Sequence, residues 1–377
     1  MIYLDNAATT GQKPISVINA VKQSLINFNA NPGRSGHNLS VTTAEQIYRC
    51  RNKIKNFFGA SNENNICFLS SCTQAINSVV FGVLKPGDHV IISSLEHNAV
   101  YRTVYNYSKL INFKFDIVNV DLINDENTIN NFKNKIKSNT RLIVITAASN
   151  VIGKKLPIKR IGELCKNYNI LFCVDAAQLA GKSEINIKNC NIDYLCLAPH
   201  KGFYSPTGLG VLIAEKPIDN VLIYGGTGVN SLDSNQPEEL PERIESGTVN
   251  IPGIFGLSAG IEFVKNKGLK FIESHEITLI KHLYKQLKIM GAELYTIFPE
   301  KSMFAPVLSF NVKGRSSEEV GEYLNRNNIA VRCGLHCAPL AHKQIDTIER
   351  GTVRVSPSVF SDYDDIEKLI FYVKKLI

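Results

Sequence analysis

The chain predicts an α/β fold: a mostly parallel sheet covered by helices on both faces, followed by a smaller C-terminal α/β domain. Two observations predict it. Short apolar runs alternate with helical stretches through residues 66–214, the pattern of parallel strands joined by helical crossovers. The length, 377 residues, exceeds what one core ordinarily organises, so a second domain is expected. The expected division is a large domain over 15–252 and a small one over 253–377, with residues 1–14 packed near the site.

In chain order, Ile2-Tyr-Leu-Asp5 is a short extended piece. Asn6-Ala-Ala-Thr-Thr10 is a turn of small residues; it lets backbone amides near Ala8 approach a ligand, or it is only a tight turn. Pro14 to Asn27 reads as a helix with Val17, Val21 and Leu25 on one face. The polar loop Asn29–Asn38 carries Arg34 and His37, and long loops of this kind tend to be functional or mobile. A helix from Val41 to Phe58 stops at Gly59, a suitable C′ residue.

Next come a strand at Ile66–Leu69, the connection Ser70-Ser-Cys72-Thr73 and a helix at Gln74–Leu84. Hydroxyls and free amides at that helix start either seat an anion such as phosphate or simply cap the helix. The strand His89–Ser93 leads to Glu96-His97-Asn98, and Arg141–Thr146 ends in Ala147-Ala-Ser-Asn150. The helix Ile158–Asn167 precedes the strand Ile170–Val174, which ends in Asp175 with Gln178 three residues on. Asp193–Leu197 is a strand that breaks into His200-Lys201-Gly202, and Val211–Ala214 is the next. Residues 225–248 are rich in loops, and a helix follows from about Gly253 to Lys265. The second domain has helices near His275–Met290 and Ser317–Asn325, and strands near Val307–Val312 and Ala330–Arg332. A final strand at Val353–Ser356 leads to a helix from Asp362.

Bulk properties exclude several classes. Hydrophobic residues make up 44% and charged ones 20%, a globular composition, and no apolar run approaches the roughly 18 residues of a membrane helix. Met1-Ile-Tyr-Leu-Asp lacks the basic start and apolar core of a signal peptide, so a cytoplasmic location is expected. Net charge is +8 (42 − 34), with no long run of one sign, which argues against a nucleic-acid footprint. The nine cysteines lack the dense spacing of a disulfide scaffold and are expected as free thiols.

The chemistry concentrates at strand ends. Thr73, His97, Asn150, Asp175 and Lys201 all follow the carboxyl ends of expected strands, where ligands bind in open α/β sheets. Lys201 lies on a short connection between two buried strands, where desolvation favours a neutral, nucleophilic amine. An amine for an aldehyde, a carboxylate to hold a pyridine nitrogen protonated, and a donor near a phenolic oxygen together suit pyridoxal phosphate. Arg332-Cys-Gly-Leu-His-Cys337-Ala-Pro is the second informative stretch. A thiol between a histidine and an arginine is a nucleophile, an inert core cysteine, or, with Cys333 and His336, a metal ligand. The spacing is not that of a zinc ribbon or finger.

Together, YLDNAATT, EHNAV, SNVIG, VDAAQ, HKGFYSPTGLG, ESGTVN and RCGLHCAP resemble the class V aminotransferases, pyridoxal-phosphate enzymes of fold type I. The resemblance is closest to the cysteine desulfurases, in the branch of SufS and selenocysteine lyase. It runs from Tyr3 to Arg354, nearly the whole chain. It implies that Lys201 holds pyridoxal phosphate covalently, Asp175 pairs with the pyridine nitrogen, Gln178 bonds the phenolic oxygen and His97 stacks on the ring. Cys72, Thr73 and His200 would bind the phosphate, joined by Thr248 from the other subunit of a homodimer. Arg354 and Asn150, with Arg332 and Ala8 nearby, would hold the substrate carboxylate. Cys337 would take sulfur from L-cysteine as a persulfide, leaving L-alanine, for delivery to an acceptor protein of the kind that feeds iron–sulfur cluster assembly.

The sequence departs from the family's pattern at Ala198, usually Ser or Thr, at Pro199, usually Gly, and at Gly33, where His often precedes the arginine. GLHCAPLAHK stands for GHHCAMPL, and the short connection around Cys337 implies a restrained thiol with low turnover unless an acceptor is present. Selenocysteine as substrate, an aminotransferase or other pyridoxal-phosphate lyase with Cys337 incidental, and a non-catalytic scaffold are the alternatives left open.

Overall fold

Isoleucine, valine and leucine dominate the strands of the large sheet, and their alternate side chains enter two separate cores. In β3 (His89–Ser93), Ile91 faces one core while Val90 and Ile92 face the other. In β5 (Thr140–Thr146), Ile143 and Ile145 face the first, Leu142 and Val144 the second. This period of two with both faces apolar requires cover on both sides. Each such side chain, fully buried, contributes about 1.5–3 kcal/mol. The structure, a computed structural model, describes residues 1–32 and 36–377, so Gly33 and Arg34 of the polar loop lie outside the described residues.

From the N-terminus the elements are β1 (Ile2–Tyr3), α1 (Ile15–Asn27), α2 (Asn38–Phe58), β2 (Ile66–Leu69), α3 (Cys72–Val83) and β3. Then come α4 (Asn98–Tyr107), β4 (Lys114–Val118), α5 (Asp125–Lys135), β5, α6 (Ile158–Asn167), β6 (Leu171–Asp175), β7 (Tyr194–Leu197) and β8 (Gly210–Ala214). The large sheet has the order β2-β8-β7-β6-β5-β3-β4. β7 through β4 run parallel, while β8 is antiparallel to both β7 and β2. The chain leaves β3 toward β4 on one side and β5 toward β6 on the other. A crevice therefore opens between the carboxyl ends of β3 and β5.

α7 (Ile251–Lys267) brings Ile254, Leu257 and Ile261 into the first core and packs on α1 and α2. Its glycines also let it lie against the connection between β7 and β8: a Cβ on Gly260 would stand 1.9 Å from the Phe203 carbonyl oxygen. α1 turns a different face inward than its sequence suggests. Val17 and Ser24 are buried, whereas Leu25 is 61% exposed, because α7 meets α1 along the 17–21–24 line. Gly59 ends α2 in the left-handed conformation at φ 72°, as expected of a C′ glycine, and His37 caps its start by accepting the Ser40 amide.

α8 (Leu269–Met290) leads to β9 (Glu293–Leu294), β10 (Leu308–Asn311), α9 (Ser317–Arg326), β11 (Ile329–Ala330), β12 (Arg332–Gly334), α10 (Pro339–Gln344), β13 (Thr352–Val355) and α11 (Tyr363–Lys374). An antiparallel sheet of order β12-β13-β10-β9 builds a third core with α8, α9 and α11. The single strand expected near Ala330–Arg332 is two. Ala330 pairs with β1, and Arg332 pairs with Arg354 of β13. The N-terminal segment thus belongs spatially with the end of the chain. Leu4 accepts the Ser356 amide at 2.7 Å, and Ser356 Oγ accepts the Ala7 amide at 2.8 Å. No helix among the described residues is long and apolar enough to cross a membrane.

Candidate active site

At the carboxyl ends of β5, β6 and β7 lies a pocket of about 200 Å³ lined by residues from several distant segments. Lys201 reaches it from the β7–β8 connection, and its Nζ has no hydrogen bond or ion pair among the described residues. Burial lowers the affinity of its amine for a proton, and the Asp175 carboxylate opposes that shift. Asp175 ends β6 and is 3% exposed. Its Oδ1 accepts the Ala177 amide at 2.9 Å and the Cys72 thiol at 3.5 Å, while Oδ2 has no partner among the described residues.

His97 caps α4: its Nδ1 accepts the Ala99 amide at 3.0 Å. Burial pushes its pKa down to about 4, so the ring is neutral and its flat face is available for stacking. Gln178 donates one amide hydrogen to the Ala7 carbonyl at 3.0 Å and keeps the other. That bond also fixes the small-residue turn, and Ala7 and Ala8 both line the pocket.

The start of α3 also lines the pocket, and this helix begins two residues earlier than the sequence suggests. Ser71 caps it by accepting the Gln74 amide, so Cys72 and Thr73 occupy the first turn, where amides point away from the helix unpaired. A Cβ on Gly210 of β8 would meet the Cys72 nitrogen at 2.6 Å, so this turn rests on β8. Cys72 faces Asp175. Burial first, and then that carboxylate, raise its thiol well above the usual range. His200 Nδ1 lies 3.0 Å from Thr9 Oγ1, and burial pushes its pKa down to about 4. Ala198, which carries no hydroxyl, also lines the pocket.

Arg354, 1% exposed, comes from β13. It donates to Asp5 Oδ1 at 2.6 Å and to the Asn150 carbonyl at 3.0 Å, and its Nε is buried without a partner. Asn150 Nδ2 donates to the His336 carbonyl at 2.8 Å. Cys337 is exposed, its Sγ 3.7 Å from Arg332 Nη2, and its carbonyl accepts the Asn98 amide at 2.7 Å. His336 and Cys337 both adopt left-handed conformations, at φ 50° and 58°, so the thiol sits on a strained turn. His336 is turned to Thr352 and buried, which leaves Arg332 as the cation beside the thiol.

The pocket therefore brings together Lys201, Asp175, Gln178, His97, Cys72, Thr73, His200, Asn150, Ala8, Arg332 and Arg354. Cys337 adjoins it through Arg332, while exposed Thr248 lines other clefts, with Arg51 and Glu245 or with Phe68 and Gln74. Ser71, read from the sequence as part of the connection before α3, and His336, read there only as an alternative metal ligand, also line the pocket, as does Thr146, which nothing in the sequence marked. Among the described residues, no group of three or more His, Cys, Asp or Glu is placed to hold a metal ion.

The family described as Aminotransferase class-V matches residues 2–369. A probable cysteine desulfurase of Borreliella burgdorferi is 31% identical over 394 aligned residues, covering 100% of this chain and 92% of that protein. One from Pyrococcus abyssi is 31% identical, covering 100% of this chain and 94% of its own. The apo structure of a cysteine desulfurase from Thermococcus onnurineus superposes with a TM-score of 0.92 at 30% identity, covering 100% of this chain and 94% of that one.

Proposed function

We propose that this chain, which belongs to the aminotransferase class-V family, is a pyridoxal-phosphate-dependent cysteine desulfurase. The observation that carries the reading is the exposed Cys337 thiol beside Arg332, at a pocket that also holds Lys201 and Asp175. The cofactor fits these residues. The Lys201 amine is unpartnered, Asp175 Oδ2 is free to accept from a pyridine nitrogen, and the first-turn amides of α3 suit a phosphate. Pyridoxal phosphate, when bound, supplies an aldehyde for amines and a ring that draws electrons from the substrate's Cα.

The chain's own residues supply the rest. Arg354 offers its unpartnered Nε, and Asn150 its second amide hydrogen, to the substrate carboxylate. Lys201 Nζ, deprotonated more readily than in water, carries protons between substrate atoms. Neutral His97 would be the residue to cover the cofactor's ring, without competing for the Asp175 charge. The Cys337 thiolate attacks the sulfur of L-cysteine. A sulfur–sulfur bond forms as the Cβ–S bond breaks, and the electron pair left on Cβ takes a proton to give L-alanine.

The protein works as a homodimer in this reading, with Thr248 of each copy serving the phosphate seat of the other. Its exposure outside the pocket supports that placement. The persulfide passes to an acceptor protein, for uses such as iron–sulfur cluster assembly, and the nine free cysteines support a cytoplasmic setting. We place the large unit at 15–252, with α7 lending it an apolar face, and the small unit at 253–377 joined by residues 1–14.

The test is release of alanine and sulfide from L-cysteine under reductant, comparing wild type with Cys337→Ala on protein that carries the cofactor's visible absorbance. Equimolar products that disappear in the variant support the proposal. Coloured protein giving neither product rules out cysteine as substrate.

A further inference from the structure

The Glu96 side chain is fully buried, and the mechanism above does not use it. It stands where β3 turns into α4, one residue before His97. Its Oε1 accepts the Thr146 amide at 2.9 Å and a short hydrogen bond from the Ser93 hydroxyl, while Oε2 is buried without a hydrogen-bond partner. Thr146 is the last residue of β5 and pairs in register with Asp175 of β6. One carboxyl therefore links the element that carries His97 to the strand end beside the one that carries Asp175.

We propose that Glu96 is a positioning residue that fixes His97 over the pocket by tying the β3–α4 connection to the carboxyl end of β5. It does so as an un-ionised acid. No cation is paired with it among the described residues, and ionisation would place a second negative charge near Asp175 inside the protein. Burial pushes its pKa up to about 8. The groups acting on it are the neutral Ser93 hydroxyl from β3, the Thr146 amide from β5 and the Asp175 charge from β6; His97 of α4 is itself neutral. As a neutral acid, Glu96 leaves Asp175 as the charge available to a pyridine nitrogen. Once ionised, it sets a second buried negative charge against Asp175 at the neighbouring strand end, a repulsion that the bonds from Ser93 and Thr146 only partly offset.

The inference rests on the pyridoxal-phosphate reading, and the experiment separates the two. Apo protein is titrated with pyridoxal phosphate by absorbance and equilibrium dialysis at about pH 7 and about pH 9. Thermal unfolding of each apo variant is recorded alongside. If ionised Glu96 abolishes tight binding, the wild-type dissociation constant rises about tenfold more over that interval than that of Glu96→Gln, which mimics the protonated acid. Glu96→Gln matches wild type at about pH 7, whereas Glu96→Ala binds about tenfold more weakly at both values. An alkaline loss in Glu96→Gln equal to that of wild type overturns the proposal, as does wild-type affinity in Glu96→Ala. Should Glu96→Ala fail to fold, the comparison of Glu96→Gln with wild type still decides. Absence of cofactor binding by wild type overturns the functional reading, and this inference with it.

Discussion

Arg354 Nη2 donates to Asp5 Oδ1 at 2.6 Å, joining residues 349 positions apart in the chain. The pair draws the N-terminal segment onto β13 and orients a buried guanidinium whose Nε is left free. If that guanidinium clamps the substrate carboxylate, Arg354→Lys loses its planar fork. The expected result is a KM for L-cysteine raised about 10- to 100-fold, the range of one charge-assisted hydrogen bond, with cofactor absorbance retained. An unchanged KM would remove Arg354 from substrate binding.

Lys182 and Glu276 form an ion pair at 2.8 Å, with side chains 6% and 0% exposed, between the segment after β6 and α8. Burial raises the Glu276 pKa and the Lys182 ammonium counters it. Lys182→Met strands a buried carboxylate and is expected to cost about 3–5 kcal/mol in urea unfolding. The double variant Lys182→Met/Glu276→Leu is expected to recover most of that loss, because neither charge is then left alone. A double variant as unstable as the single one would assign the loss to packing.

Acid lability follows from two buried histidines. Burial pushes His336 down to about 2 and His342 down to about 4, from an unfolded value of 6.5. Below 6.5 the unfolded chain takes up protons that the folded chain refuses, so unfolding becomes easier as pH falls toward each folded value. Stability is therefore complete above that point and declines by about 1.4 kcal/mol per pH unit for each histidine below it. Urea unfolding between about pH 6.5 and about pH 4.5 should show these two contributions together with those of His97 and His200, less the opposing one from Glu96. His342→Gln should reduce the slope by roughly one proton's worth.

Asp175 and Lys201 were legible because each follows an apolar run that is almost wholly buried, and such runs declare themselves locally. β4 was not. Its Lys114-Phe-Asp-Ile-Val118 lies at the edge of the sheet, largely unburied, and carries charges that disguise a strand. α5 hides in the same way, since only Thr128 and Phe132 of its polar sequence are buried. The antiparallel direction of β8 depends on the turn geometry after Lys201, which composition does not encode. Contacts such as Arg354 with Asp5, or Glu96 with Thr146, depend on register across the fold, so no local pattern announces them.

Gly210 offers a steric test of the phosphate seat. It begins β8 beneath the first turn of α3, and a Cβ there would stand 2.1 Å from the Ser71 carbonyl carbon and 2.6 Å from the Cys72 nitrogen. These are backbone atoms, so the strain cannot be relieved by rotating a side chain. Gly210→Ala must lift Ser71, Cys72 and Thr73 away from the sheet, at a cost of about 1–3 kcal/mol by the usual scale of overpacking. If the first-turn amides hold the cofactor's phosphate, that displacement should weaken pyridoxal phosphate binding by about tenfold or more. Binding at wild-type strength in a folded but destabilised variant would place the phosphate elsewhere.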